Sequence, residues 1–150
     1  SNNDEGKATT MFKKFASALM LLAATTSGFA FEILGDSASV DMHVTSIISH
    51  ETGSTITASG PVEGYGKVWA TLELTSSDSN RSQGVLGGQG RALLDDGSMV
   101  GSPFMGNWSR AGHLVTIHFL DNVSNGAQNF VKWTLDLREE TVTGVYYPIK

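Results

Sequence analysis

The sequence predicts an all-β chain that folds into one small antiparallel β-barrel of about seven or eight strands in meander order. Apolar and polar residues alternate along most of the chain after residue 40, short polar turns separate the alternating segments, and glycine recurs within them. A closed barrel is favoured over an open sheet because closure leaves no edge strand to protect. A β-sandwich is the alternative architecture.

Strict alternation identifies four segments as half-buried strands. In residues 67–75, Val68 and Leu72 point to one face, whereas Trp69 points to the other. The β-branched and aromatic residues in these segments also favour strands over helices. The other strictly alternating segments are residues 113–121, 130–138 and 141–149, and weaker candidates are residues 40–49 and 54–59.

Polar turns that contain glycine separate several of these segments. Asp95-Asp96-Gly97 and Ser124-Asn125-Gly126 each place a residue that tolerates a left-handed backbone before a glycine, which favours a tight hairpin. Residues 76–82 form a polar loop, and residues 138–141 form a short polar connection. Because strands joined by short turns pair antiparallel, we expect a meander. No segment after residue 30 keeps a helical periodicity for long, so we expect no long helix there.

Glycine is frequent within or beside the strand segments, where it would weaken the packing of a flat sheet. In a closed barrel, glycine permits sharp coiling and close approach of neighbouring chains where a strand bends. The repeated glycines therefore support a closed barrel. They are Gly60, Gly64, Gly66, Gly84, Gly87, Gly88, Gly90, Gly101 and Gly106.

Residues 11–30 have the pattern of a secretory signal peptide. Two lysines form a cationic start, residues 15–24 form an apolar run, and Gly28 and Ala30 supply the small residues that a signal peptidase inspects. The apolar run is shorter than the about 20 residues that cross a bilayer. We therefore expect a secreted or periplasmic protein, cleaved before Phe31, with no membrane span after cleavage.

The remaining chain, residues 31–150, suits a single domain. Residues 1–10 are polar and precede the first methionine, so we expect a disordered leader or a mis-assigned start there. Three of the ten basic residues and two of the fifteen acidic residues lie before residue 31, which leaves a net charge of −6. This acidic balance argues against nucleic acid as a partner, because no basic patch exists to neutralise phosphates.

Cysteine is absent, which excludes disulfides, thiol chemistry and thiolate metal sites. A cysteine-free exported domain suits a bacterial periplasm or growth medium better than a small eukaryotic secreted scaffold. Asn-x-Ser sequons begin at Asn80, Asn107 and Asn122. These sequons would be glycosylation acceptors in a eukaryotic secretory route, and otherwise they are turn-forming residues.

Part of the chain resembles a known group of barrels. Residues 64–75, GYGKVWATLELT, resemble an early barrel strand of the calycin-like group, and residues 90–98, GRALLDDGS, and 106–108, GNW, continue the likeness. Over residues 61–147 the pattern is most similar to the allene oxide cyclase and dirigent type. The resemblance implies a compact eight-stranded barrel that holds an apolar small molecule, often as an oligomer. It assigns no residue, because the acids of this chain do not align with that family's catalytic positions.

Glu73 and His118 are the candidate catalytic residues. Glu73 lies opposite the apolar face of its strand, and burial inside a barrel would let it act as an acid or base near neutral pH. His118 would act as a general base if it pointed into the barrel. On the outer face, both would be ordinary solvated side chains. We expect no metal site, since His113 and His118 fall on opposite faces of one strand, and no cofactor.

Trp69, Arg91 and Trp108 are the candidate ligand contacts. Trp69 points away from the apolar face of its strand, and Trp108 is one of several aromatic residues spaced among the strands that could line a pocket. Aromatic residues also fill ordinary cores and barrel mouths. Arg91 is either an inward anchor for an anionic group or a surface charge.

We expect the protein to bind or carry a small apolar molecule without catalysis, which calls for a lumen of roughly 300 Å³ or more. The alternative is a cofactor-free isomerase or cyclase, in which confinement supplies much of the rate. A second alternative is a structural or surface-interaction protein that pairs through an open edge strand. A homo-oligomer is compatible with each of these functions.

Overall fold

A computed structural model describes residues 31–150; the predicted leader and signal peptide, residues 1–30, lie outside the described residues. Eight strands follow one another around a closed barrel, and every neighbouring pair, the first and last strands included, is antiparallel. The predicted all-β barrel is confirmed, and the sandwich alternative is wrong. The strands are β1 Ala38–His50, β2 Gly53–Val62, β3 Gly66–Ser76, β4 Gln83–Leu93, β5 Met99–Ala111, β6 Leu114–Asn122, β7 Gln128–Asp136 and β8 Thr141–Pro148.

Strands β4 and β5 lack a clear apolar alternation in the sequence because glycine occupies several of their positions. At Gly88, glycine makes room for an aromatic ring, and at Gly106 it makes room for the neighbouring strand. A Cβ atom on Gly88 would lie 2.6 Å from Cε2 of Phe104, and one on Gly106 would lie 2.7 Å from Cβ of Phe119. These two glycines therefore provide the close approach that the sequence predicts.

Large side chains fill the middle of the barrel. The rings of Phe104 and Phe119 stack with their centroids 4.4 Å apart, and the indole of Trp133 meets Phe119 edge-on at 4.8 Å. The interior is therefore a packed core and not an open lumen. The largest fully buried side chains are those of Met42, Leu72, Leu86, Ile117, Leu135 and Val142.

The barrel has two ends with different turns. At the terminal end, β1 begins, β8 ends, and the turns β2–β3, β4–β5 and β6–β7 connect their strands; the other four turns lie at the opposite end. Residues 32–34 extend the terminal end by pairing with residues 148–150, and the backbone N–H of Leu34 donates to the carbonyl of Pro148 at 2.8 Å. No helix among residues 31–150 is long and apolar enough to cross a membrane.

Candidate functional site

A cavity of about 70 Å³ opens at the terminal end of the barrel. Its walls are mostly apolar, and Phe104, Phe119 and Trp133 of the packed core contribute to them. The sequence predicts a lumen of about 300 Å³, which is the lower limit for ordinary ligand pockets. The cavity is smaller than this. The difference arises because aromatic side chains occupy the space that an empty barrel would offer.

A chain of three polar side chains lies in this apolar cavity. Asn129 is only 2% exposed, and its Nδ2 donates to Oδ1 of Asp121 at 2.9 Å and to the hydroxyl of Tyr65 at 3.0 Å. Both amide hydrogens of Asn129 are thus used. Because the Tyr65 oxygen accepts a bond here, its own hydrogen can be donated to another group.

Burial changes the acidity of the two ionisable members of this chain. It raises the pKa of the Asp121 carboxyl, although hydrogen bonds from the side chain and backbone of Asn129 oppose the rise. Burial also raises the pKa of Tyr65; the bond from Asn129 lowers it, and the nearby Asp121 charge raises it further. The hydroxyl of Tyr65 therefore stays protonated, and Asp121 takes up a proton at a higher pH than a solvated carboxyl does.

A second tyrosine is fixed beside the first by the β2–β3 turn. The hydroxyl of Tyr146 donates to the backbone carbonyl of Glu63 at 2.6 Å, and its ring meets that of Tyr65 edge-on at 5.4 Å. Gly64 has a φ of 81°, and a Cβ atom there would lie 2.6 Å from the Tyr146 hydroxyl. Glycine at this position is therefore needed both for the turn and for the tyrosine contact.

Trp133 adds a donor that has no acceptor. Its Nε1 is the buried side-chain polar atom without a hydrogen-bond partner in the part of the chain that the structure describes. A buried donor left unpaired costs about 1–3 kcal/mol. Trp133 lines the cavity with other atoms of its side chain, since its Nε1 exposes almost no surface.

The residues predicted to be catalytic do not lie in this cavity. Glu73 is exposed, opposite Thr55 and Gly87 on the outer face of the barrel. His118 is half-buried on the outer face, where its ring stacks on Phe130 with the centroids 6.1 Å apart. Both residues therefore lie on the outer face of the barrel, where their side chains can be solvated. A catalytic role for either stays a prediction.

The predicted ligand contacts are dispersed. Trp69 is 41% exposed on the outer face, with Nζ of Lys67 5.0 Å from its ring. Arg91 borders the cavity but is exposed, and it lies opposite Trp69 in the register of β3 and β4. Trp108 is buried and faces inward near the opposite end, where its Nε1 donates to the carbonyl of Val85 at 3.1 Å. The structure therefore does not bring these three residues together.

Two of the polar residues of the cavity have a recognisable position in the sequence pattern. Asp121 lies two residues after the buried Phe119, on the side of β6 that faces the barrel interior. Asn129 likewise lies two residues before the buried Val131 on β7. A polar residue in the inward phase at the end of a strand faces the mouth of a barrel. Tyr65 lies in a turn, where no periodicity applies, so only the fold places it.

No group of three potential metal ligands is present among residues 31–150. Comparisons of the chain with protein-family models, with curated proteins and with solved structures found no match.

Proposed function

We propose that the protein binds a small, largely apolar molecule whose polar head enters the terminal-end cavity. The observation that carries this proposal is the chain of Asp121, Asn129 and Tyr65, held by hydrogen bonds inside an otherwise apolar space. Burial of polar groups costs free energy, which the hydrogen bonds among these three side chains offset. A few convergent polar groups in an apolar pocket are the usual pattern of a small-molecule site.

The size of the cavity limits what it can enclose. Its volume of about 70 Å³ is roughly half that of a 150 Å³ cavity that admits benzene. Only a few non-hydrogen atoms fit inside, so the rest of a larger ligand would extend through the mouth.

The free donor at this cavity favours a head with an acceptor oxygen. It is the hydroxyl hydrogen of Tyr65, whose oxygen already accepts from Asn129. Asp121 disfavours an anionic head whenever it is ionised, because two negative charges in a poorly solvated space repel each other. A neutral carbonyl compound meets both conditions.

Binding of cyclopentanone, compared with cyclopentane, tests this proposal. We expect cyclopentanone to bind and Tyr65→Phe to weaken its binding about tenfold, as the loss of one good hydrogen bond does. Tyr147→Phe is the matched control, because Tyr147 lies on the outer face against Phe130. Equal effects of the two substitutions on the dissociation constant, or no preference for the ketone, would refute the proposal.

An isomerase or cyclase is the second candidate, and the raised pKa of Asp121 favours it. The Asp121 carboxylate would take a proton from the carbon next to the ligand carbonyl, while Tyr65 donates a hydrogen bond to the enolate oxygen. The same carboxyl would then return the proton to another carbon, which needs no oxidant or cofactor. Asp121 and Tyr65 would then take the roles considered above for Glu73 and His118.

Exchange of the α-hydrogens of cyclopentanone in D₂O tests catalysis directly. We expect the protein to accelerate this exchange, and Asp121→Asn to abolish the acceleration while cyclopentanone still binds. An exchange rate equal to that of buffer would leave binding as the function. An acceleration that survives Asp121→Asn would exclude Asp121 as the base.

The eight-stranded closed barrel has the architecture that the resemblance to the allene oxide cyclase and dirigent type implies. We propose that relationship from the architecture and the three resembling segments alone. A structural role through edge pairing has less support, because closure leaves β1 to β8 without a free edge in the described chain. Export stays a prediction from residues 11–30.

A further inference from the structure

The opposite end of the barrel contains a larger cleft. Its volume is about 390 Å³, within the range of ordinary small-molecule sites, roughly 300–1,000 Å³. Its apolar lining includes Ile56, Leu74 and Trp108, and two cationic side chains, Arg81 and Arg110, border it. An apolar surface thus adjoins two positive charges.

The two arginines donate to backbone carbonyls. Arg110 donates to the carbonyls of Arg81 at 3.1 Å, Gly112 at 2.9 Å and Asn80 at 3.4 Å. Arg81 in turn donates to the carbonyl of Glu51. A guanidinium group has five N–H donors, so both groups keep donors for a further acceptor. Carbonyl partners fix the position of a guanidinium group without neutralising its charge.

No carboxylate neutralises either arginine within the described residues. The ion pair found among residues 31–150 joins His113 and Asp136, at 3.8 Å. The side chain of Ser82 donates to Asp78, and the backbone N–H groups of Arg138 and Glu139 donate to Asp136. The carboxylates of Asp78 and Asp136 are therefore held by their own turns.

We propose that this cleft binds an amphipathic anion, with its carboxylate at the guanidinium groups of Arg81 and Arg110 and its aliphatic tail on the apolar lining. Guanidinium groups suit a carboxylate because their planar donors match its two oxygens. The apolar lining supplies the burial that an aliphatic tail requires. This site is separate from the terminal-end cavity and does not depend on the function proposed for it.

Octanoate and 1-octanol are the probes that test this proposal, since they share a tail and differ in charge. Calorimetric titration of the full chain is expected to give an octanoate affinity at least about tenfold above that of octanol, as one charge-assisted hydrogen bond provides. The indole N–H resonance of Trp108 should shift as octanoate saturates the site. Equal affinity for the two probes, or no saturable octanoate binding, would overturn the proposal.

Substitutions test whether Arg81 and Arg110 supply the positive charge that binds the octanoate carboxylate. Arg81→Gln and Arg110→Gln should each weaken octanoate binding about tenfold, whereas Arg138→Gln, at an exposed turn position at the same end, should leave it unchanged. Because Arg110 also holds loop carbonyls, Arg110→Lys tests the charge with part of that bonding retained and should bind more tightly than Arg110→Gln. Equal losses for Arg138→Gln and the other two glutamine variants would show a nonspecific charge effect and refute the site.

Filling the cleft tests its position without changing charge. Ser54 lines the cleft and lies two residues before the buried Ile56 on β2. Ser54→Leu should reduce octanoate affinity, and thermal unfolding of the same variant confirms that the barrel remains folded. A folded Ser54→Leu variant with unchanged octanoate affinity would place the binding elsewhere and overturn the proposal.

Discussion

The cavity at the terminal end of this barrel and the turns at its opposite end shift the pKa values of their carboxyl groups in opposite directions. At the terminal end, burial raises the pKa of Asp121. At the opposite end, a hydrogen bond from the Ser82 side chain lowers the pKa of Asp78, and one from the Glu139 backbone lowers that of Asp136. The same barrel thus stabilises the protonated form of Asp121 and the ionised forms of Asp78 and Asp136. The difference arises because Asp121 faces a cavity, whereas Asp78 and Asp136 accept bonds from open turns.

The largest expected effect comes from removing the amide that supports Asp121. Asn129→Leu leaves Asp121 without its side-chain donor and should destabilise the protein by about 2 kcal/mol, as the loss of a hydrogen bond to a charged group does. Asn107→Leu, at an exposed position on β5, should change stability by about 0.5 kcal/mol or less. Urea unfolding measures both. Equal losses would mean that Asn129 has no special role at the terminal end.

Gly64→Ala should have the next largest effect. It places a side chain at a φ of 81° and against the Tyr146 hydroxyl. Gly126→Ala is the matched control, because Gly126 has a φ of 93° with no atom within 4 Å of an added Cβ. We expect Gly64→Ala to cost about 1 kcal/mol more than the control, beyond the backbone strain common to both. Equal unfolding midpoints would exclude a Tyr146 contact at this turn.

The pH dependence of stability should distinguish the two ends. The stability that Asp121 contributes is complete below its ordinary pKa of 3.8 and is lost as the pH rises through its raised pKa in the folded state. The contribution of Asp136 is present above 3.8 and is lost as the pH falls through its lowered pKa.

Urea unfolding of two variants between about pH 3 and about pH 7 checks these signs. Relative to the parent protein, Asp121→Asn should gain stability as the pH rises, because the parent loses the contribution of Asp121. Asp136→Asn should lose relative stability over the same rise. The same sign for both variants would contradict the contrast between the ends.

The smallest expected effect is at the residues that the sequence suggested for catalysis. Glu73→Gln and His118→Gln should leave cyclopentanone binding and α-hydrogen exchange unchanged, since both residues lie on the outer face. Their unfolding free energies should change by about 0.5 kcal/mol or less. Loss of exchange in Glu73→Gln would restore the catalytic role considered for that residue from the sequence.

Periodicity was sufficient to predict the architecture but not the interior. The alternation around Leu72, Ile117 and Leu135 predicted strands with the correct inward faces, because burial on one face imposes that pattern directly. The filling of the barrel depends on which side chains meet across it. Gly88 opposite Phe104 is an example, because sequence spacing does not reveal that contact.

The candidate site was harder to predict than the fold. Its members come from β6, β7, β8 and the β2–β3 turn, so Tyr65 and Asn129 meet only after the barrel closes. Histidine and tryptophan are rare in this sequence, and their rarity favoured His118 and Trp69 as candidates. The inward phase of Asp121 and Asn129 was the stronger signal, because a polar side chain that faces a core requires a partner.

The indole N–H resonances of the protein during a titration with cyclopentanone test the central claim most directly. Trp133 lines the terminal-end cavity, Trp108 faces inward near the opposite end and donates to Val85, and Trp69 is on the outer face. We expect the Trp133 resonance to move with saturation while the other two stay in place. Equal shifts for all three resonances, or none at all, would contradict ligand binding in the terminal-end cavity.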